Sequence, residues 1–377
     1  MTDIILKGNI VDPVGAEIFK GQVIIYGGKI HSVIRKQVIE EQYIFPGFID
    51  SHIHIESSML TPSNFASIVI SHGTTAVVSD PHEIANVLGI KGVKFMISDG
   101  RKAPLKFFFG APSCVPATDF ENSGAKILSD DIEKLFKKHG LKYLSEMMNF
   151  PGVIFGDPEV IKKINLAKRY NCKIDGHAPG LTGAKLDKYI DAGIDTDHEC
   201  FTYEEALEKI KKGMKIQIRE GSAARNFENL KGLINKYPDK IMLCSDDLHP
   251  DALVKGHLNR LIKKGLNSGL NLLDLISAVT VNPVRHYNLE CGLMQVGDPA
   301  DICVVDNLDE FNVIKTYING DCVYEGDSPK DDAIESESIN RFYINSVKVD
   351  DIAIRDTGKK IKVIKAIDGE LVTKSFS

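Results

Sequence analysis

From Phe48 onward the chain alternates short apolar runs with amphipathic stretches at helical spacing, and this alternation restricts the fold more than any other feature. Parallel strands need a crossover between each pair, usually a helix, so repeated strand and helix textures predict a parallel α/β sheet. Strand ends are expected near His54, Asp80, Ser113, Glu146, His177, His198, Glu220 and Asp246. Their spacing, about 20 to 35 residues, suits one βα unit each time, and eight units predict a TIM-like (β/α)8 barrel over residues 46–290. Segments such as DIEKLFKKHG and DPEVIKKINLAKRY place apolar residues at helical spacing with lysines opposite, as sheet-covering helices do. Thr61-Pro62 and Asp157-Pro158 are expected helix starts with a capping side chain, and Thr202 to Glu205 reads as a capping box.

Both flanks differ in texture. Residues 1–45 read as short strands, with Gly27-Gly28 as a hairpin turn, and residues 291–325 return to the same pattern. The two segments are expected to pair in one small β-domain beside the barrel. Residues 326–337 (GDSPKDDAIESE) read as a linker, and 338–377 as two or three strands that begin a further β-rich C-terminal domain, cut short.

With 377 residues, 43% of them hydrophobic, the chain is long enough for one large core and a small companion. The N-terminus lacks the basic start and apolar middle of a secretory signal, and no apolar run approaches the ~20 residues that span a bilayer. A cytoplasmic protein with no membrane contact is expected. A formal charge of −6 without a basic block leaves no electrostatic footprint for nucleic acid. Seven cysteines are scattered without a C-x-x-C pair, so they are expected to be reduced core residues rather than disulfides or thiolate ligands.

The stretch FIDSHIHIES carries the first chemical signal. On a strand, His52, His54 and Glu56 share one face, while Ile53 and Ile55 share the other. A lone His-x-His is compatible with the wet face of a half-buried strand. The other strand ends decide between the readings. They carry the Asp80-Pro81-His82-Glu83 turn, Glu146, His177, His198 and Asp246, and the C-terminal ends of barrel strands are where active groups gather. Imidazole and carboxylate ligands without thiolate favour two divalent ions such as Zn²⁺, Mn²⁺ or Fe²⁺, with one carboxylate able to bridge them. Such a pair makes water nucleophilic at neutral pH, and an adjacent carboxylate can carry its proton to a leaving group. No Walker loop, G-x-S-x-G elbow or G-x-G-x-x-G fingerprint offers a rival mechanism.

The order of these residues resembles the amidohydrolase superfamily. Within it, PGFIDSHIHIESSM, VVSDPHEIANVLG, SEMMNFPGV, DGHAPGLTG, TDHECFTYEEA, IREGSAARN and CSDDLHPDALVKGHLNRL resemble the bacterial adenine deaminases, in that family's order, from residue 46 to about 325. The resemblance implies His52, His54, Glu146, His177, His198 and Asp246 as ligands of two ions, manganese or iron, with Glu146 bridging them where many superfamily members carry a modified lysine. It implies Asp246 as proton shuttle, hydrolysis of adenine to hypoxanthine and ammonia in purine salvage, and a homo-oligomer. At the same mouth Glu56, Asp80, His82, Glu83, Arg219 and Glu220 are candidates for holding the purine or supporting the ligands; Arg219 and Glu220 are equally compatible with pairing to each other. His249 is a further candidate. His31, His139, His257 and His286 are expected at the surface or at helix ends, and His72 at the end of a helix. The alternatives are a binuclear amidohydrolase acting on a cyclic amide or another aminopurine, and a catalytically silent scaffold on this fold.

Overall fold

Gly27 and Gly28, both at positive φ (58° and 80°), turn the chain between its second and third strands, a conformation glycine adopts without steric cost. The computed structural model describes residues 4–118, 120–326, 334–354, 358, 360–371 and 373–376. Along the chain, β1 (Ile4–Asp12), β2 (Glu17–Tyr26), β3 (Lys29–Arg35) and β4 (Tyr43–Pro46) precede eight strands separated by helices. These are β5 (Phe48–Ile53), β6 (Thr74–Ser79), β7 (Lys106–Phe109), β8 (Tyr143–Met147), β9 (Lys173–Gly176), β10 (Thr196–Asp197), β11 (Lys215–Arg219) and β12 (Ile241–Cys244). The strands β13 (Ile302–Val305), β14 (Val313–Ile318) and β15 (Asp321–Glu325) follow. One seven-stranded sheet has the order β15-β14-β13-β4-β1-β2-β3, so residues near the two ends of the region 4–325 share it. Its contact is specific: β4 runs parallel to β1 and antiparallel to β13, with Phe45 opposite Cys303.

The intervening strands form parallel groups β5-β6-β7, β8-β9 and β10-β11-β12. Single contacts join the groups in chain order. Ala111 bridges to Leu144 between β7 and β8, and Asp195 N–H donates to Ile174 C=O between β9 and β10. A parallel bridge from Ile53 to Asp246 returns the last strand to the first. Every residue of β5, β6, β8 and β12 is buried, as expected of strands covered on both faces.

Of the three expected helix starts, one forms as expected, one keeps its side-chain cap without the capping box, and one makes no cap bond. Asp157 caps the helix Pro158–Arg169 by accepting from Glu159 and Val160 N–H, both at 2.9 Å, and that helix buries Val160, Ile164 and Ala167. Thr202 accepts from Glu205 N–H, but Glu205 does not complete a capping box; its carboxylate turns to Phe201 N–H and Lys209. Thr61 makes no capping bond, because its hydroxyl accepts from Asn64 Nδ2 instead. All seven cysteines are free, five of them buried.

Residues 334–336 are tied to the core through Ile334 N–H to Asn64 Oδ1 and Ser336 Oγ to Asp99 Oδ2. Beyond them a short antiparallel strand pair, 363–365 with 374–376, leaves its six strand residues exposed. Of the expected linker, residues 327–333 lie outside the described residues, as do 355–357, 359, 372 and 377 of the expected C-terminal strands. Among the described residues no helix is long and apolar enough to cross a membrane.

Candidate metal centre

The strand β5 ends at Ile53, one residue before its second histidine, and the chain then enters a 3₁₀ turn over Ile55–Ser58. The expectation of one continuous strand face for His52, His54 and Glu56 is therefore corrected at its third member: Glu56 reaches inward from the turn and accepts from Ile84 N–H at 3.2 Å. His52 and His54 do converge. Their Nε2 atoms lie 3.1 Å apart, a distance at which two imidazole nitrogens need a shared proton or cation between them.

Glu146, at the end of β8, stands between two sets of imidazoles. Its Oε1 is 3.3 Å from His54 Nε2 and 3.3 Å from His82 Nδ1. Its Oε2 is 2.7 Å from His177 Nδ1 and 3.1 Å from His198 Nε2. Asp246, following β12, turns Oδ1 toward His54 Nε2 at 3.3 Å and His52 Nε2 at 3.6 Å. Its Oδ2 accepts from Arg219 Nη1 at 2.6 Å. The rings of His52 and His198 stack at 4.1 Å, which packs the two sets against each other. Of these groups His177 keeps 24% of its side chain accessible, His82 14% and Glu83 36%, and they mark the open side; His52, His198, Glu146 and Asp246 are fully enclosed.

Electrostatics in this cluster call for positive charge. Burial opposes protonation of His54, yet Glu83, Asp246 and Glu146 outweigh it and hold its pKa well above the ordinary range. The same contest raises His82 to about 10, through Glu83 and Asp80, and His177 to about 9, through Glu146. Burial acts against ionisation of Glu146 and Asp246, but their imidazole neighbours, with Arg219 beside Asp246, hold both well below the usual carboxylate range. Glu56 behaves oppositely: burial, then the Glu83 charge, raises it to about 8.

The residues present fit divalent ions. Groups of three or four ligand atoms within 4.8 Å are His52, Glu146 and His198; His52, His54 and Asp246; His54, Asp80, His82 and Glu146; His177, His198 and Glu199; and His54, Glu83 and Asp247. The buried atoms His52 Nδ1, His198 Nδ1, Asp80 Oδ1 and Glu83 Oε2 have no hydrogen-bond partner, an unusual concentration of unsatisfied groups. His54 Nδ1 is engaged by the Asp80 carbonyl at 3.0 Å, which leaves Nε2 as the atom that could take an ion, the arrangement metal-binding histidines commonly use.

Of the residues expected at the mouth, Glu56, Asp80, His82, Glu83 and Arg219 are in this cluster or touch it, and Glu220 is not. Arg219 and Glu220 do not pair. Arg219 forms a two-point ion pair with Glu199 at 2.5 and 2.8 Å besides its bond to Asp246, while Glu220 turns to Lys264 at 2.6 Å. Consecutive strand-end side chains point to opposite faces, so only one of the two can look inward. His249 is exposed at the start of the short helix Pro250–Leu253. His72 follows the helix Pro62–Ile70 and contacts the Leu253 carbonyl. His257 and His286, expected at the surface or at helix ends, do stand at helix ends, before the helix Leu258–Asn267 and in the last turn of Val281–Tyr287, but both are buried, at 5% and 4% exposure. Two further carboxylates belong to the cluster: Glu199, next to His198, and Asp247, next to Asp246 and bonded to Ser57. Their adjacency to expected ligands is the only trace of them in the sequence, and strand alternation would have sent both outward.

Residues 43–323 match the amidohydrolase family. The chain is 52% identical over 376 residues to an adenine deaminase of Methanosarcina barkeri, covering 97% of this chain and 68% of that protein. It is 52% identical to one of Sulfurovum sp., covering 98% and 69%, and 45% identical to one of Borreliella burgdorferi, covering 98% and 68%. Among solved structures, dihydropyrimidinase from Brevibacillus agri shares the fold with a TM-score of 0.63 at 14% identity, over 86% of this chain and 95% of that one. An enamidase of the amidohydrolase superfamily does so with a TM-score of 0.60 at 15% identity, over 86% and 96%.

Proposed function

The chain belongs to the amidohydrolase family and, within it, to the adenine deaminases, and from that premise we propose how its residues convert adenine and water to hypoxanthine and ammonia. The observation that carries the reading is the division of Glu146 between two imidazole sets, His54 with His82 on Oε1 and His177 with His198 on Oε2. A carboxylate so placed suits a bridge, with His52, His54 and Asp246 on one side and His177 and His198 on the other. These six residues would hold two divalent ions, and a nitrogen and oxygen donor set without thiolate suits Mn²⁺ or Fe²⁺, with Zn²⁺ as a further candidate. When bound, such ions supply Lewis-acid chemistry and acidify water.

Asp246 carries the proton. Arg219 occupies Oδ2 and fixes the carboxylate's orientation, so Oδ1 is the atom that accepts the proton from the attacking water and returns it to the 6-amino nitrogen as ammonia leaves. Arg219 itself is anchored by Glu199, which makes its aim rigid. On the open side Glu83 and His82, with Glu56 and Asp80 behind them, are placed to orient the purine ring; a buried carboxyl near pKa 8, such as Glu56, can donate a hydrogen bond at neutral pH. Burial of the other groups excludes bulk water and strengthens each of these contacts.

We read the eight parallel strands β5 to β12 as a closed (β/α)8 barrel. The bridges Ala111 to Leu144 and Ile53 to Asp246 support closure, and the cluster then lies at the C-terminal ends of the strands. An absorbance assay of adenine conversion, run with metal analysis on the same sample, tests the whole reading. Turnover with about two ions per chain is expected. Two ions with no turnover of adenine would leave the centre in place and reject the substrate.

A further inference from the structure

Asp246 has a left-handed backbone, φ 57°, which residues other than glycine rarely adopt unless the surroundings enforce it. Main-chain bonds supply part of the hold: Asp246 N–H donates to the His52 carbonyl at 3.0 Å, and His54 N–H to the Asp246 carbonyl at 3.4 Å. A side chain supplies the rest. Asp50, fully buried on β5, accepts from Ser245 N–H at 3.2 Å, from Ser245 Oγ at 2.5 Å and from His52 N–H at 3.2 Å, so one carboxylate clamps both strand ends that meet at the centre.

Behind Asp50 stands His257. Its Nε2 lies 2.9 Å from Asp50 Oδ2, a close approach without a straight hydrogen bond, and its Nδ1 is 2.7 Å from Thr74 Oγ1. Phe65 meets the imidazole edge-on. Ser245 and His257, each 5% exposed, both border a cavity of about 800 Å³ that Glu220, Cys244 and His249 also line. None of these groups has its polar atoms among the clustered ligand atoms of the centre.

We propose that Thr74, His257, Asp50 and Ser245 form a positioning chain that holds Asp246 in its left-handed conformation and so aims its Oδ1 at His52 and His54. The inference rests on the reading of Asp246 as ligand and proton carrier. His257, more than 200 residues from Asp50 in sequence, is a positioning residue, since it is absent from the ligand groups of the centre and acts through Asp50.

The test compares His257→Leu and His257→Gln with the wild-type chain by two readouts. One is the visible absorption of the Co²⁺-loaded protein, which senses the ligand field without any substrate; the other is the kcat and KM for adenine. His257→Leu is expected to alter the absorption at unchanged Co²⁺ content and to lower kcat roughly tenfold or more, with KM within about twofold. His257→Gln, which returns an N–H toward Asp50, is expected to restore most of both. Wild-type absorption together with wild-type kcat in His257→Leu overturns the proposal, as does a kcat loss that only follows the folded fraction. If His257→Leu does not fold, Ser245→Ala carries the test, with the same change in absorption and roughly threefold lower kcat expected; no change in either overturns it. A wild-type chain that leaves adenine untouched while its Co²⁺ spectrum still responds to His257→Leu rejects the substrate and keeps the positioning chain.

Discussion

Two buried charge clusters lie side by side in this molecule and differ in how they are neutralised. In one, Lys209 Nζ donates to Asp197 Oδ2 at 2.7 Å, to Glu205 Oε1 at 2.7 Å and to the Ala178 carbonyl at 2.8 Å. All three ammonium donors are used, so the cluster is complete within the chain. The other begins one residue further along, where His198 meets Glu146, and extends through Asp246, Glu83 and four more imidazoles, with orphaned atoms among them and Arg219 as its fixed cation. A buried charge must be paired, and an unpaired set in a folded protein marks a place where something else binds. The self-contained cluster is structural, whereas the open one is built around charge that the chain does not supply.

The largest effects should come from the open cluster. His52→Ala should lose metal and adenine turnover together, and metal analysis showing the full wild-type complement would place the centre elsewhere. Asp246→Asn should keep most of the metal and lower kcat by roughly 10² to 10⁴, the usual worth of a positioned acid and base; near-normal kcat removes Asp246 from its role.

The closed cluster should respond in stability. Lys209→Met leaves the Asp197 carboxylate buried without a cation and is expected to cost about 3 to 5 kcal/mol in a denaturant melt. Adding Asp197→Asn should return part of that loss, because the stranded charge is removed. A melt of Lys209→Met matching the wild type would erase the contrast between the clusters.

Removal of metal sharpens it from the other side. In the metal-free chain His177 and His82 have pKa values of about 9 and 10, raised from 6.5. Groups raised on folding stabilise fully below their unfolded pKa, and that stabilisation is lost as pH rises through the folded values. Chelated protein should thus melt lower at pH 10 than at pH 6.5, and metal-loaded protein should show much less of this trend, since bound cations replace those protons. The smallest effect belongs to a carboxylate satisfied by backbone amides alone: Asp157→Ala should cost about 1 kcal/mol through loss of its helix cap, with turnover unchanged.

Much of this arrangement is legible in the sequence because periodicity is local. His52, Glu146, His177, His198 and Asp246 stand at or just beyond the ends of β5, β8, β9, β10 and β12, and apolar runs between helical stretches mark those ends in the sequence. Periodicity says less where a strand stops early. Phe109 ends β7 four residues before Ser113, and the 3₁₀ turn after His54 sends Glu56 inward by a route that alternation does not describe. It also says less for histidines whose partners are remote: His257 meets Thr74 and Asp50 across more than 180 residues.

Patterns within a few residues specify the strand and helix order and the imidazoles and carboxylates at the strand ends, and extended similarity specifies the family. Which atom of each of these side chains faces which neighbour depends instead on the folded arrangement. The split of Glu146, the tie from Arg219 to both Glu199 and Asp246, the turning of Glu220 to Lys264 and the burial of His257 each depend on contacts between residues 20 to more than 200 positions apart. Such contacts exist only once the strands have taken their places beside one another, because the energy of a buried charge is set by every group that surrounds it rather than by its neighbours along the chain.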